Sequence, residues 1–217
     1  SGNNEIFIFS LICIVMNFFY RLLNSNKKNK NFYIILILLS CNLLIWFKQE
    51  GLIYSGIIVL TLLLFFDLEI KKKFVILGIY LALLLIRLLV FKYYNFDLFL
   101  TLTHNFSIVD IINNISLIKI FLISKYFILA FLKNYLLSIG LIIFILSLQN
   151  RKFFSKIYYI YFFASLCFLF VFLAYLLTNF DVDFMLKTGI DRLIYSFSPF
   201  IFLLFVEYFN FFKIKDK

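Results

Sequence analysis

The chain has 217 residues, of which 65% are hydrophobic and 22% aromatic, and a formal net charge of +10. Its mean hydropathy of +1.04 excludes an ordinary water-soluble domain. The basic residues are spread along the chain and not gathered on one face, which excludes nucleic acid as the partner.

Seven apolar stretches follow one another, at residues 5–23, 32–47, 52–66, 74–91, 126–148, 157–178 and 193–212. Each is read as a crossing of a hydrocarbon core about 30 Å thick, for which a helix needs about 20 residues. The second and third are shorter, and call for thinned bilayer or burial among neighbours. The expected fold is all-α: a single polytopic transmembrane bundle of seven spans over residues 1–217.

The connectors give an orientation. Arg21, Lys27, Lys28 and Lys30 follow the first stretch, and Lys71, Lys72 and Lys73 follow the third. Arg151, Lys152 and Lys156 follow the fifth, and Lys213, Lys215 and Lys217 follow the last. Thirteen of the 21 Lys and Arg thus fall at alternate connectors. Basic connectors stay in the cytoplasm, where anionic headgroups attract them. The N-terminus is expected outside and the C-terminus in the cytoplasm. Connectors 48–51, 92–125 and 179–192 then face the exterior. Ser1 opens the chain with no basic leader ahead of the first stretch. The expectation is the C-terminal part of a longer protein.

Polar residues inside the stretches are the exceptions to explain. Asn17 and Asn42 are read as hydrogen-bond glue between helices. Arg87 and Glu207 lie close enough to span ends to reach water along their own stems. Lys133, beside Asn134, lies deeper, and its reading is divided between a functional cavity and the surface. Segments 96–102 and 108–122 are apolar but interrupted, as in helices lying in the membrane interface. Cys13, Cys41 and Cys167 are read as buried thiols, and His104 is the only histidine. No spacing of His, Cys and carboxylates resembles a closed metal site.

The informative polar groups gather on the side read as exterior. Gly2-Asn3-Asn4-Glu5 enters the first stretch, and Lys48-Gln49-Glu50-Gly51-Leu52 joins the second and third. Tyr175-Leu176-Leu177-Thr178 leads to Thr188-Gly189-Ile190-Asp191-Arg192 and then Pro199. In this order they resemble the later half of polytopic GT-C class glycosyltransferases. The branch is the bacterial one related to protein O-mannosyltransferases and lipid A aminoarabinose transferases. Gly189 stands where that family has Ser.

The resemblance implies transfer of a sugar from a polyprenyl-phosphate donor to an extracytoplasmic acceptor, at a bacterial inner membrane. Such enzymes carry their catalytic carboxylates in a first exterior loop to which nothing here corresponds. The general base, and any divalent metal, is therefore expected upstream of this chain, which should be inactive alone. Asp181 and Asp183 are read as acids of a solvated loop, not as that base.

The residues alone support a compatible chemistry. A lipid-linked sugar phosphate needs cations at the membrane surface. Lys48 and Arg192 are the expected phosphate ligands, with Glu5, Glu50 and Asp191 in support. Arg192 is read in the first turn of the last helix, where the macrodipole disfavours a cation, so Asp191, Asp183 or a bound anion should compensate. The plainer alternative is a surface salt bridge, Lys48 with Glu50 or Arg192 with a neighbouring Asp. Two other functions stay open. A polysaccharide polymerase or ligase calls for a large exterior loop rich in Arg and His, and 92–125 holds one His and no Arg. A transporter calls for broken helices and internal repeats, neither of which the sequence displays; a non-enzymatic scaffold has no such requirement.

Overall fold

The computed structural model describes residues 2–25, 27–96, 116–178 and 181–215. Among these, every regular element is an α-helix. They are α1 (Gly2–Asn24), α2 (Lys27–Phe47), α3 (Gln49–Phe65), α4 (Ile70–Tyr93) and α5 (Leu117–Lys133). Then come α6 (Tyr135–Leu148), α7 (Arg151–Leu176), α8 (Val182–Phe197) and α9 (Phe200–Lys215).

Four helices (α1, α2, α4 and α7) are long and apolar enough to cross a membrane, or up to six if each of two bent pairs counts as one crossing. The second apolar stretch is carried by a longer helix: α2 extends back through polar residues to Lys27, and Asn29–Phe47 is long enough to cross. The third is short, since the 17 residues of α3 span about 26 Å at 1.5 Å per residue. It compensates by burial, with Tyr54, Ser55, Ile58 and Leu62 sealed among neighbouring helices.

Two stretches read as single spans are broken. The fifth divides at Asn134 into α5 and α6, which meet at 93°. The last begins well before residue 193, with α8 bending by 41° into α9 at Ser198-Pro199. Proline lacks the N–H that would continue α8, and its fixed φ suits the start of a new helix.

The core runs between α1, α2, α3, α7, α8 and α9. Phe19 of α1 lies between Phe66 and Tyr159, with centroids 5.1 and 6.2 Å away. Tyr54 of α3 packs edge-on against Phe170 of α7 and donates its hydroxyl to the Leu193 carbonyl of α8 at 3.4 Å. Ser196 donates to that hydroxyl in turn, at 3.2 Å. By contrast, α4 rests against α2 and α3 at the edge, with most of its apolar surface exposed. Apolar exposure of this kind is what a bilayer covers.

Small residues let the helices close up. A Cβ at Gly51 would run into the Leu44 backbone carbonyl across the α2–α3 hairpin. Gly51→Ala is therefore expected to cost about 1–3 kcal/mol, as overpacking does. Gly78 has nothing within 4 Å of its would-be Cβ, so Gly78→Ala should be neutral or stabilising. Thermal unfolding of both variants in detergent checks this. Equal melting temperatures would remove the close approach at Gly51 as a constraint on the hairpin.

Candidate functional site

Glu5 stands in the first turn of α1, at the end of the bundle where α2 turns into α3. Lys48 is the single residue of that turn, and its extended backbone (φ −159°, ψ 164°) separates the two helices. Its Nζ lies 3.4 Å from Glu5 Oε1 and 3.2 Å from Glu50 Oε1. Arg192 of α8 brings Nη1 within 3.7 Å of the same Glu5 oxygen. Glu5, Lys48, Glu50 and Arg192 therefore meet, although four different segments supply them.

Burial differs sharply within this cluster. The Glu5 side chain is 9% exposed and the Arg192 side chain 50%. Glu5 Oε2 is buried and accepts no hydrogen bond from the described residues. Lys48 is held between two carboxylates, so much of its charge is already answered. Arg192 shares one carboxylate oxygen with Lys48 and keeps open donors.

The dipole argument for Arg192 does not survive. Since α8 starts at Val182, Arg192 sits well inside the helix and away from its positive end. Its acidic partner is Glu5, not Asp191 or Asp183. Asp183 accepts from the Tyr126 hydroxyl at 2.8 Å and pairs with Lys187. Asp181 caps α8 by accepting from the Asp183 N–H at 3.0 Å. These two acids thus fix the start of α8 and dock α5 against it. Lys119 adds a second tie by donating to the Thr178 carbonyl at 2.7 Å.

Beside Glu5 opens a cavity of about 550 Å³. Arg192, Asp191 and Tyr195 of α8 form one side, and Glu5 and Ile6 of α1 the next. The break between α5 and α6 closes it with Ala130, Lys133, Asn134 and Leu136. Asn134 makes this break: its Oδ1 accepts from the N–H groups of Leu136 and Leu137 at 3.1 and 3.4 Å, capping α6. Lys133, left open between cavity and surface by the sequence, lines the cavity while remaining exposed. No ion pair involves it among the described residues. Lys48 stands outside the lining.

Gly189 faces the buried Tyr175. A Cβ there would lie 2.8 Å from the Tyr175 hydroxyl. The small residue thus permits the α7–α8 approach that holds Arg192 in place.

Several polar residues differ from expectation. Glu207 does not reach water: its side chain is 0% exposed, with Oε2 2.6 Å from Lys156 Nζ. Arg87 is also buried, its guanidinium 4.9 Å from the Phe91 ring centroid. Asn17 and Asn42 do not glue helices together. Each accepts from a residue one turn on in its own helix, Arg21 Nε at 2.9 Å and Trp46 Nε1 at 3.1 Å. Cys41 and Cys167 are buried and free, while Cys13 is half-buried. His104, the interfacial segments before Ser116, and the two Asn-x-Ser sequons starting at residues 105 and 114 lie wholly or mostly outside the described residues. Among the described residues no group of three His, Cys, Asp or Glu could hold a metal ion.

The sequence missed Tyr195, Ala130 and Ile6 as parts of the cavity wall. Nothing in an apolar run marks which side chains will border an opening. The break at Asn134 did leave a signal, because an Asn ahead of an apolar run is a helix-start signature. No protein family, no curated protein and no solved structure matches the chain.

Proposed function

We propose that the chain is the membrane part of a glycosyltransferase that takes sugar from a polyprenyl-phosphate donor and passes it to an extracytoplasmic acceptor. The observation that carries this reading is the cavity beside Glu5, which combines the half-exposed guanidinium of Arg192 with an apolar wall. A lipid-linked phosphate has the same two halves. Its chain stays in the bilayer while its phosphate sits at the surface. Arg suits the phosphate because its planar fork binds two oxygens.

Lys48 supports the site in this reading by holding Glu5 and Glu50 beside Arg192, and Asp191 borders the opening. Four helices are long and apolar enough to cross, up to six with the two bent pairs, and a seventh crossing in this reading is the short α3. The end carrying Glu5 faces the exterior of a bacterial inner membrane.

Topology is tested with single cysteines in a cysteine-free variant. A cysteine near Lys71 or Arg151 should resist an impermeant thiol reagent in intact cells, and one at Asn95 should react. Labelling at Arg151 from outside would invert the bundle and remove the site from the extracytoplasmic face. The function itself is tested with a photoreactive polyprenyl-phosphate sugar in membranes. Crosslinks should fall on α5, α6 and α8 around the cavity. Crosslinks confined to α4 would mark only lipid-like contact.

The breaks at Asn134 and at Ser198-Pro199 also favour a second reading. Interrupted helices are where transporters place polar substrates. Proteoliposomes that accumulate a water-soluble substrate, with no labelling by the lipid-linked sugar, would favour that reading.

A further inference from the structure

Building on the glycosyl-phosphate reading, we infer that the cavity is a two-point headgroup site. Lys133 joins Arg192 in gripping the anion, and Glu5 Oε2 accepts a hydroxyl of the sugar attached to it. Lys48 does not touch the ligand.

Three observations lead there. The first is the placement of Lys133. Its helix ends at the 93° break, and the break turns this residue and Asn134 into the cavity wall. A lysine among apolar helices is costly unless something answers its charge. No carboxylate does so among the described residues. Arg192 borders the same opening from α8, so two cations from separate helices face one space.

The second is the state of Lys48. Two carboxylates lie within 3.4 Å of its Nζ, and it is not part of the lining. It keeps Glu5 charged and in place, which is a positioning role.

The third is Glu5 itself. Its Oε1 serves Lys48 and Arg192, but Oε2 is buried with no side-chain donor among the described residues. A buried acceptor left unsatisfied is destabilising, so a ligand that supplies a donor gains from the pairing. A bare phosphate cannot supply it when fully ionised. A sugar hydroxyl can. The lining holds two cations (Lys133, Arg192) and two acids (Glu5, Asp191), so it suits a headgroup with both an anion and donors better than a simple anion. Ile6, Ala130 and Leu136 offer the apolar side against which the first isoprene unit would rest.

The test measures binding of four compounds to the purified protein in detergent: farnesol, farnesyl phosphate, farnesyl phosphoglucose and soluble glucose 1-phosphate. The expected order is farnesyl phosphoglucose tightest, then farnesyl phosphate, with farnesol and glucose 1-phosphate weakest. Lys133→Met should weaken both farnesyl phosphates about tenfold or more, the loss of one charge-assisted contact, and leave farnesol unchanged. Lys48→Gln should weaken them less than Lys133→Met does. Lys133→Arg should restore most of the affinity. Lys133 is exposed, so its variants should fold, and an unchanged melting temperature verifies this.

Phosphates that bind no better than farnesol would sink the glycosyl-phosphate reading and this inference together. Phosphates that bind well but ignore Lys133→Met would sink the inference and leave the reading standing. Farnesyl phosphoglucose no tighter than farnesyl phosphate would remove Glu5 as the hydroxyl acceptor. Glucose 1-phosphate as tight as its farnesyl counterpart would show a site for a soluble sugar phosphate and overturn the lipid-linked assignment.

Discussion

Replacing Lys156 by Met is expected to destabilise the protein by about 3–5 kcal/mol, the usual consequence of breaking one side of a buried ion pair. Glu207 is fully enclosed, and the Lys156 Nζ at 2.6 Å is its one cationic partner among the described residues. Its Oε1 has no hydrogen-bond donor there, so Lys156 is the main compensation for its charge. The Met variant keeps the stem that packs along α7 and removes only the ammonium. The desolvation already suffered by the carboxylate is then left unanswered. The double variant Lys156→Met/Glu207→Gln removes the stranded charge and should recover most of the loss. Thermal unfolding of the three variants in one detergent checks the cycle. If the double variant is no more stable than Lys156→Met, the burial of the charge is not what makes Lys156 important.

The second large effect belongs to catalysis and follows from the proposed function. In the whole enzyme of that reading, Arg192→Gln is expected to slow sugar release from a polyprenyl-phosphate-linked hexose by about 10²–10³-fold in membranes, as loss of one oxyanion donor does. Negative charge grows on the phosphate as the sugar bond breaks. A fixed cation therefore stabilises the transition state more than the bound donor, which lowers the barrier. Glu5 anchors the guanidinium at 3.7 Å while half of the side chain stays exposed, which is what this proposal draws on. Arg192→Lys should also be impaired, because an ammonium cannot bind two oxygens in one plane. Lys48→Gln should be milder, acting through the position of Glu5. Release at the wild-type rate by a folded, membrane-inserted Arg192→Gln protein would return Arg192 to an ordinary salt bridge with Glu5.

How much of this was legible from the residues depends on what a membrane erases. The segments α1, α2, α4 and α7 were plain as apolar runs bounded by lysines and arginines, because length and charge mark a crossing whatever its neighbours. Rotation about each helix was not legible. In water a polar face shows which side is buried, whereas here Ile35 and Ile37 of α2 are equally apolar, one exposed and the other sealed. The bends were hidden for the same reason. Residues 126–148 and 193–212 read as unbroken runs, and Asn134 and Pro199 inside them stand where the helices break. The four charged members of the Glu5 cluster were legible as a group because each ends or joins an apolar run. Their pairing was not: nothing in the order of residues links Glu5 to Arg192 in preference to Asp191. Glu207 misled because its distance from a chain end says nothing about how many helices surround it.

The bend between α8 and α9 has a mechanical meaning. Helix α1 runs past both segments and is fastened to each. At one end Glu5 holds Arg192 of α8, and at the other the Tyr20 hydroxyl accepts from Asn210 Nδ2 of α9 at 3.0 Å. A helix tied at both ends to a jointed pair works as a splint. The 41° angle at Ser198-Pro199 is then braced by α1 as well as by the proline. The tie at Tyr20 is between neutral groups and is indifferent to charge. The tie at Glu5 is ionic, and an anion that draws Arg192 away loosens that end, where Phe9 still stacks on Tyr195 of α8 at 4.7 Å.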